Sequence, residues 1–293
     1  MILLAALLGL AAALLATAAA PAPDAGLFVY EGVVGGNMDI YSVPITGGVP
    51  KRLTDHPAED ALPRFTPDGQ SVIFSSKRTG EWQLYEIPVT GGQARPLWTS
   101  PHREWQADPS PDGRWIAYLA KPEKAELLWV RPRTGGRARQ LVSHGDHVIL
   151  GNPNWSKDGN EIVFSSNRGF GGHSVYVVNV ATGEERRISP ATSGACEPRF
   201  SRDGRKVAHV RRTHLTRHRS QIVEHDLDSG RERVLVDWDA LNYDPAYSPD
   251  GSEIAFVSKI GGPEYSIYRL RLSDGKSWRV TNKGEARHPD YRP

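Results

Sequence analysis

One four-residue phrase recurs along the chain and limits what it can fold into. Thr66-Pro67-Asp68-Gly69, Ser110-Pro111-Asp112-Gly113, Ser156-Lys157-Asp158-Gly159, Ser201-Arg202-Asp203-Gly204 and Ser248-Pro249-Asp250-Gly251 are versions of one turn, with Asp residues 44, 46, 45 and 47 apart. Proline presets φ for such a turn, Asp tolerates the next position, and Gly takes the left-handed conformation that reverses a strand. A short segment such as Pro153-Asn154-Trp155 or Pro245-Ala246-Tyr247 stands before most turns. An apolar run follows each, as in Val72-Ile73-Phe74, Ile116-Ala117-Tyr118 and Ile254-Ala255-Phe256. Further on come Leu84-Tyr85-Glu86-Ile87, Val175-Tyr176-Val177-Val178 or Ile267-Tyr268-Arg269-Leu270, then a turn such as Thr90-Gly91-Gly92, then a short run such as Arg95-Pro96-Leu97-Trp98. β-branched and aromatic runs between Gly-rich turns read as strands. Four strands per unit at this period predict an all-β fold of propeller blades.

The ends supply the blade count. Five units are complete. His288-Pro289-Asp290-Tyr291-Arg292-Pro293 aligns with Asp244-Pro245-Ala246-Tyr247-Ser248-Pro249, an offset of 44, and the chain stops where the next turn is due. Leu27-Phe28-Val29-Tyr30, Ile40-Tyr41-Ser42-Val43 and Lys51-Arg52-Leu53-Thr54 supply three strands with no innermost partner. One C-terminal strand and three N-terminal strands therefore predict a sixth blade that closes the ring and hides its edges. The expected propeller spans residues 26–293.

Residues 1–23 carry no charged side chain, and Ala16-Thr17-Ala18 has the small-x-small form of a signal-peptidase site. Residues 1–18 are predicted to be a signal peptide, with a membrane anchor as the alternative, and residues 19–25 a short leader. This places the expected mature protein in the periplasm or outside the cell, without stable membrane insertion. Thirty-six Lys and Arg against 34 Asp and Glu give a net charge of +2, which argues against a nucleic-acid partner. A single cysteine, Cys196, excludes an internal disulfide framework. A monomer is expected.

The phrase Pro-x-aromatic-Ser-Pro-Asp-Gly, followed by Ile-Ala-Phe and then Ile/Leu-Tyr, resembles the repeats of TolB-type β-propellers. Ser75-Ser76-Lys77-Arg78 and Ser165-Ser166-Asn167-Arg168 are similar to that family's turn after the second strand. The resemblance covers essentially everything after the signal and implies an envelope role. TolB itself carries an additional α/β domain before its propeller, whereas only Pro21 to Ala25 precede the first strand here.

In a propeller the Asp-Gly and Thr-Gly-Gly turns share one face. The connections between blades and between second and third strands share the other, and these vary here, so that face is the candidate binding surface. Leu62, Gln106, Asn152, Glu197, Asp244 and His288 open the six innermost strands at the channel mouth. Arg64, Asp108, Asn154, Arg199, Ala246 and Asp290 follow two residues further in. Strand alternation puts both sets on the axis, and Gln106, Asn152, Glu197, Asp244 and His288 are the candidate ligand-binding residues. His56, His102, His147 and His288 are candidate ligands for a divalent metal. The resemblance adds a precedent, since the oligogalacturonate lyases are distant TolB-like propellers that hold a divalent metal with histidines on such a face. Arg211, Arg212, Arg217 and Arg219 form a basic excursion that would attract an anionic polymer or an acidic protein surface.

Three functions remain open at this point. One is a protein- or ligand-binding module working through the variable face, with no cofactor. Another is a metal-dependent, lyase-like enzyme acting on an anionic saccharide. The third is a Tol–Pal-like envelope scaffold.

Overall fold

The computed structural model describes residues 26–168, 172–190, 194–212, 218–282 and 284–293. The predicted signal peptide and leader lie outside the described residues. Among those described there are strands and no helix, arranged as six four-stranded antiparallel sheets. From axis to rim, blade one is Asp60–Phe65, Ser71–Ser76, Gln83–Pro88 and Arg95–Pro96. The innermost strands of blades two to five are Arg103–Pro109, Leu150–Trp155, Ala195–Phe200 and Asn242–Tyr247. Blade six is shared as expected: Glu285–Tyr291 lies innermost, then Leu27–Val34, Asn37–Pro44 and Lys51–Arg52. Each innermost strand touches the next, and Glu285–Tyr291 touches Asp60–Phe65, so the ring is closed.

Blades stack face to face, so a second strand is buried on both sides and carries a continuous apolar run rather than an alternating one. Phe28, Phe74, Phe164 and Phe256 are fully buried in these strands. Blade four departs from the pattern: His209 is fully buried where the repeat places Phe164 and Phe256. Its Nε2 lies 3.4 Å from Glu232, which also faces His225 at 3.6 Å. Rim strands such as Arg95–Pro96 and Ser277–Arg279 are short, charged and exposed, which blunts the sheet edge.

The Asp-Gly turns explain why Ser or Thr opens the phrase. Ser110 Oγ donates to Asp112 Oδ1 at 2.6 Å, and the Arg114 N–H donates to the same oxygen at 3.0 Å. The Gly113 N–H donates to the Ser110 carbonyl at 2.8 Å. Thr66–Asp68, Ser156–Asp158, Ser201–Asp203 and Ser248–Asp250 repeat the hydroxyl-to-carboxylate bond. Bonds from the hydroxyl and the backbone hold the Asp112 and Asp250 carboxyls down to about 2.

Strand alternation does not carry through the innermost strands. Leu62, Gln106, Asn152, Glu197, Asp244 and His288 all have φ between 50° and 58°. In blades one to five the ladder skips there, for example between Ala61 and Arg64 and between Cys196 and Arg199. This is a β-bulge, and it frees one backbone N–H per strand from the ladder. Left-handed backbone at a non-glycine residue is sparsely populated and persists only where surrounding bonds fix it. The freed N–H groups supply such bonds.

Candidate functional site

Around the channel mouth, freed N–H groups donate to side chains of the preceding blade. The Asn152 N–H donates to Gln106 Oε1 at 2.9 Å, Asp244 to Glu197 Oε2 at 2.7 Å, and His288 to Asp244 Oδ2 at 3.1 Å. Two second-strand residues take the same role: the Leu62 N–H donates to Glu31 Oε2 at 2.9 Å, and Gln106 to Ser75 Oγ at 3.1 Å. A second tier lies further in. The Phe65 N–H donates to Asp290, Trp155 to Asp108 and Phe200 to Asn154, at 2.9, 2.9 and 2.8 Å. The two candidate sets are thus two storeys of bonds between blades, separated by the bulge.

Charge concentrates where blades four, five and six meet. His288 Nδ1 is 3.0 Å from Glu31 and Nε2 is 3.2 Å from Asp244, so a carboxylate faces each ring nitrogen. Arg287 Nε stands 3.7 Å from Asp244. Burial opposes the charge on His288, yet the Asp244 and Glu31 carboxylates outweigh it and raise its pKa. Burial likewise opposes ionisation of Asp244, and the His288 and Arg287 charges hold it below the usual carboxylate range. Burial, then the Asp244 charge, push Glu197 well above that range. The rise favours the neutral form of Glu197 beside the Asp244 carboxylate.

The raised pKa has a consequence for stability. His288 stabilises the fold fully below its unfolded pKa of about 6.5, and the contribution is lost as pH rises through the higher folded value. Thermal melting at a series of pH values is expected to show this alkaline decline in the parent. A His288→Asn variant should lack that component, and an identical pH profile in both would contradict the assignment.

The candidate metal ligands are not brought together. His288 lies in the channel, whereas His56 and His102 precede the innermost strands of blades one and two and His147 precedes that of blade three. Their local bonds are structural: the Ala58 N–H donates to His56 Nδ1, and Gln83 Nε2 donates to the His102 carbonyl. Among the described residues no group of three or more His, Cys, Asp or Glu has metal-holding geometry. The basic excursion is partly neutralised. Arg211 bonds Gln221 and Glu232, and Arg219 lies 2.6 Å from Asp237. Arg212 is exposed beside the Tyr243 ring, and Arg217 lies outside the described residues.

Glu31 and Arg287 complete the cluster and were not among the sequence candidates. Aligning Tyr30 with Phe74 puts Glu31 on Ser75, so a carboxylate in an apolar second strand was a readable signal. Below the mouth, an axial cavity of about 290 Å³ opens at the Asp-Gly end and is lined by the inner set, including Arg64, Asp108, Asn154, Arg199 and Asp290.

A closed ring of six four-stranded sheets around a polar channel defines a six-bladed β-propeller. The family model for the TolB beta propeller domain matches residues 11–148. The chain is a six-bladed β-propeller that resembles the TolB propeller domain over the matched residues. It is 32% identical to the Tol-Pal system protein TolB of Rickettsia canadensis over 75 residues, 25% of this chain and 16% of that protein. The match therefore spans a small part of that relative's length. The crystal structure of TolB from Acinetobacter baumannii superposes with a TM-score of 0.78 at 19% identity, over 92% of this chain and 67% of that one. An oligogalacturonate lyase in complex with manganese gives a TM-score of 0.61 at 14% identity, over 88% and 74%. At these identities the two structures show the shared fold alone.

Proposed function

We propose that the protein is a periplasmic binding module whose partner, an envelope protein, docks on the variable loop face. The carrying observation is that this face exposes three of the seven large apolar side chains that stand out in solvent among the described residues, the other four, Val49, Trp115, Val234 and Trp278, lying on the opposite turns and the rim. Val34 is 63% exposed at the hairpin after Leu27–Val34, Ile149 is 49% exposed before blade three, and Ile260 is 37% exposed after the second strand of blade five. Strand order puts all three on the loop face. Val34 and Ile260 stand on the neighbouring blades six and five, and exposed apolar groups rimmed by polar ones are where association is favoured. The channel mouth at the centre of that face is occupied by its own charge pairs, which suits a rigid platform. The similarity to a Tol-Pal system protein supports an envelope partner and export. Among the described residues no helix is long and apolar enough to cross a membrane.

The direct test uses the ectodomain of the source organism's peptidoglycan-associated lipoprotein in calorimetry. Saturable binding by the parent, lost in Val34→Glu/Ile260→Glu at unchanged melting temperature, is expected. Full affinity in the double variant would move the interface elsewhere. No binding, together with manganese-dependent cleavage of polygalacturonate, would favour the enzyme reading instead.

A further inference from the structure

The opposite end of the channel is chemically unfinished. Four cations, Arg64, Lys157, Arg199 and Arg202, line the axial cavity against the side-chain carboxyls of Asp108 and Asp290, with the C-terminal Pro293 also in the lining. Arg64 is paired, with Nε 3.7 Å from Asp108. Arg199 holds a buried Nη1 with no hydrogen-bond partner. A buried donor left unmatched costs free energy, so an acceptor arriving there is favoured. Both carboxyls are occupied by their blades: Trp155 and Asn154 donate to Asp108 Oδ2, and the Phe65 N–H donates to Asp290 Oδ2. Burial raises both, Asp108 to about 7, which lessens the negative charge facing the cavity.

A second hollow of about 450 Å³ runs between blades two and three and shares Pro111, Trp155 and Lys157 with the axial cavity. Trp115 lines it and is 40% exposed. An indole face at the surface suits an extended chain, and guanidinium groups suit a carboxylate.

We propose that the Asp-Gly end of the channel is a carboxylate-binding site, in which Arg199, Arg202 and Lys157 hold the anion and an attached chain leaves along the Trp115 groove. The site is on the face opposite the proposed protein-docking surface and does not depend on it. A carboxylate can come from a peptide C-terminus or from a free dicarboxylate. Calorimetry on the full chain separates them, with succinate, tetra-alanine and amidated tetra-alanine as probes. Saturable binding of a carboxylate probe is expected, with amidation weakening the peptide about tenfold or more, the loss of one charge-assisted bond. Arg199→Met and the exposed Lys157→Met should each weaken carboxylate binding by a similar factor at unchanged melting temperature. Peptide binding tighter than succinate and reduced by Trp115→Ala assigns a peptide end, whereas equal affinities assign a free dicarboxylate. No saturable binding of either carboxylate, equal binding of the amide, or full affinity in Lys157→Met would overturn the site.

Discussion

Deleting residues 288–293 is expected to abolish cooperative unfolding. The deletion removes Asp290, which accepts the Phe65 N–H of blade one, and Tyr291, whose ring lies 4.3 Å from Phe28. It also removes His288, which bridges Glu31 and Asp244. Phe28 and Val29 would lose their partners and expose a bare edge along the channel, with only Glu285–Arg287 still paired to Glu31–Val33, and blades five and one would lose most of the strand between them. An unpaired apolar edge invites association. Circular dichroism melting and size-exclusion chromatography should show a broad transition and oligomers. A monomeric truncation with the parent melting temperature would contradict the shared blade.

Asp108→Ala is expected to be the most damaging single change in the channel. Asp108 Oδ2 accepts from the Trp155 N–H at 2.9 Å and Asn154 Nδ2 at 3.1 Å, and Oδ1 faces Arg64, whose side chain is 8% exposed. Truncation leaves a buried guanidinium without its counter-ion and two donors without an acceptor. Breaking a buried pair from one side costs about 3–5 kcal/mol. Asp108→Asn keeps an acceptor oxygen, and burial already pushes Asp108 up to about 7, so this variant should cost clearly less near neutral pH. Urea unfolding measures both. Equal stability of Asp108→Ala and parent would show that the inner tier does not hold the blades.

The blades, their number and their closure were legible because each rests on local chemistry. A Ser-x-Asp-Gly turn needs its hydroxyl, carboxylate and glycine at fixed spacing, and that spacing survives in the sequence. The channel mouth was legible by position only. Gln106, Asn152, Glu197, Asp244 and His288 do converge around the axis, but their bonds run through backbone N–H groups freed by a bulge. A bulge of this kind leaves no single residue type behind: Leu62 and His288 share one backbone conformation. Glu31 was readable as a carboxylate out of place in an apolar second strand, but its role appears only once the shared blade brings it beside His288. Grouping His56, His102 and His147 with His288 assumed that residues on one face are near one another. A propeller face is wide, and blades separate what topology places on the same side.

The central claim is that the channel mouth is a closed set of charge pairs that locks the ring. Nitrogen-15 chemical shifts of the His288 imidazole, followed against pH, test it most directly. A carboxylate facing each ring nitrogen predicts an imidazolium, with both nitrogens protonated, that persists above the ordinary histidine pKa of about 6.5. A His288 that titrates at or below that value would contradict the lock and leave the mouth open to a ligand.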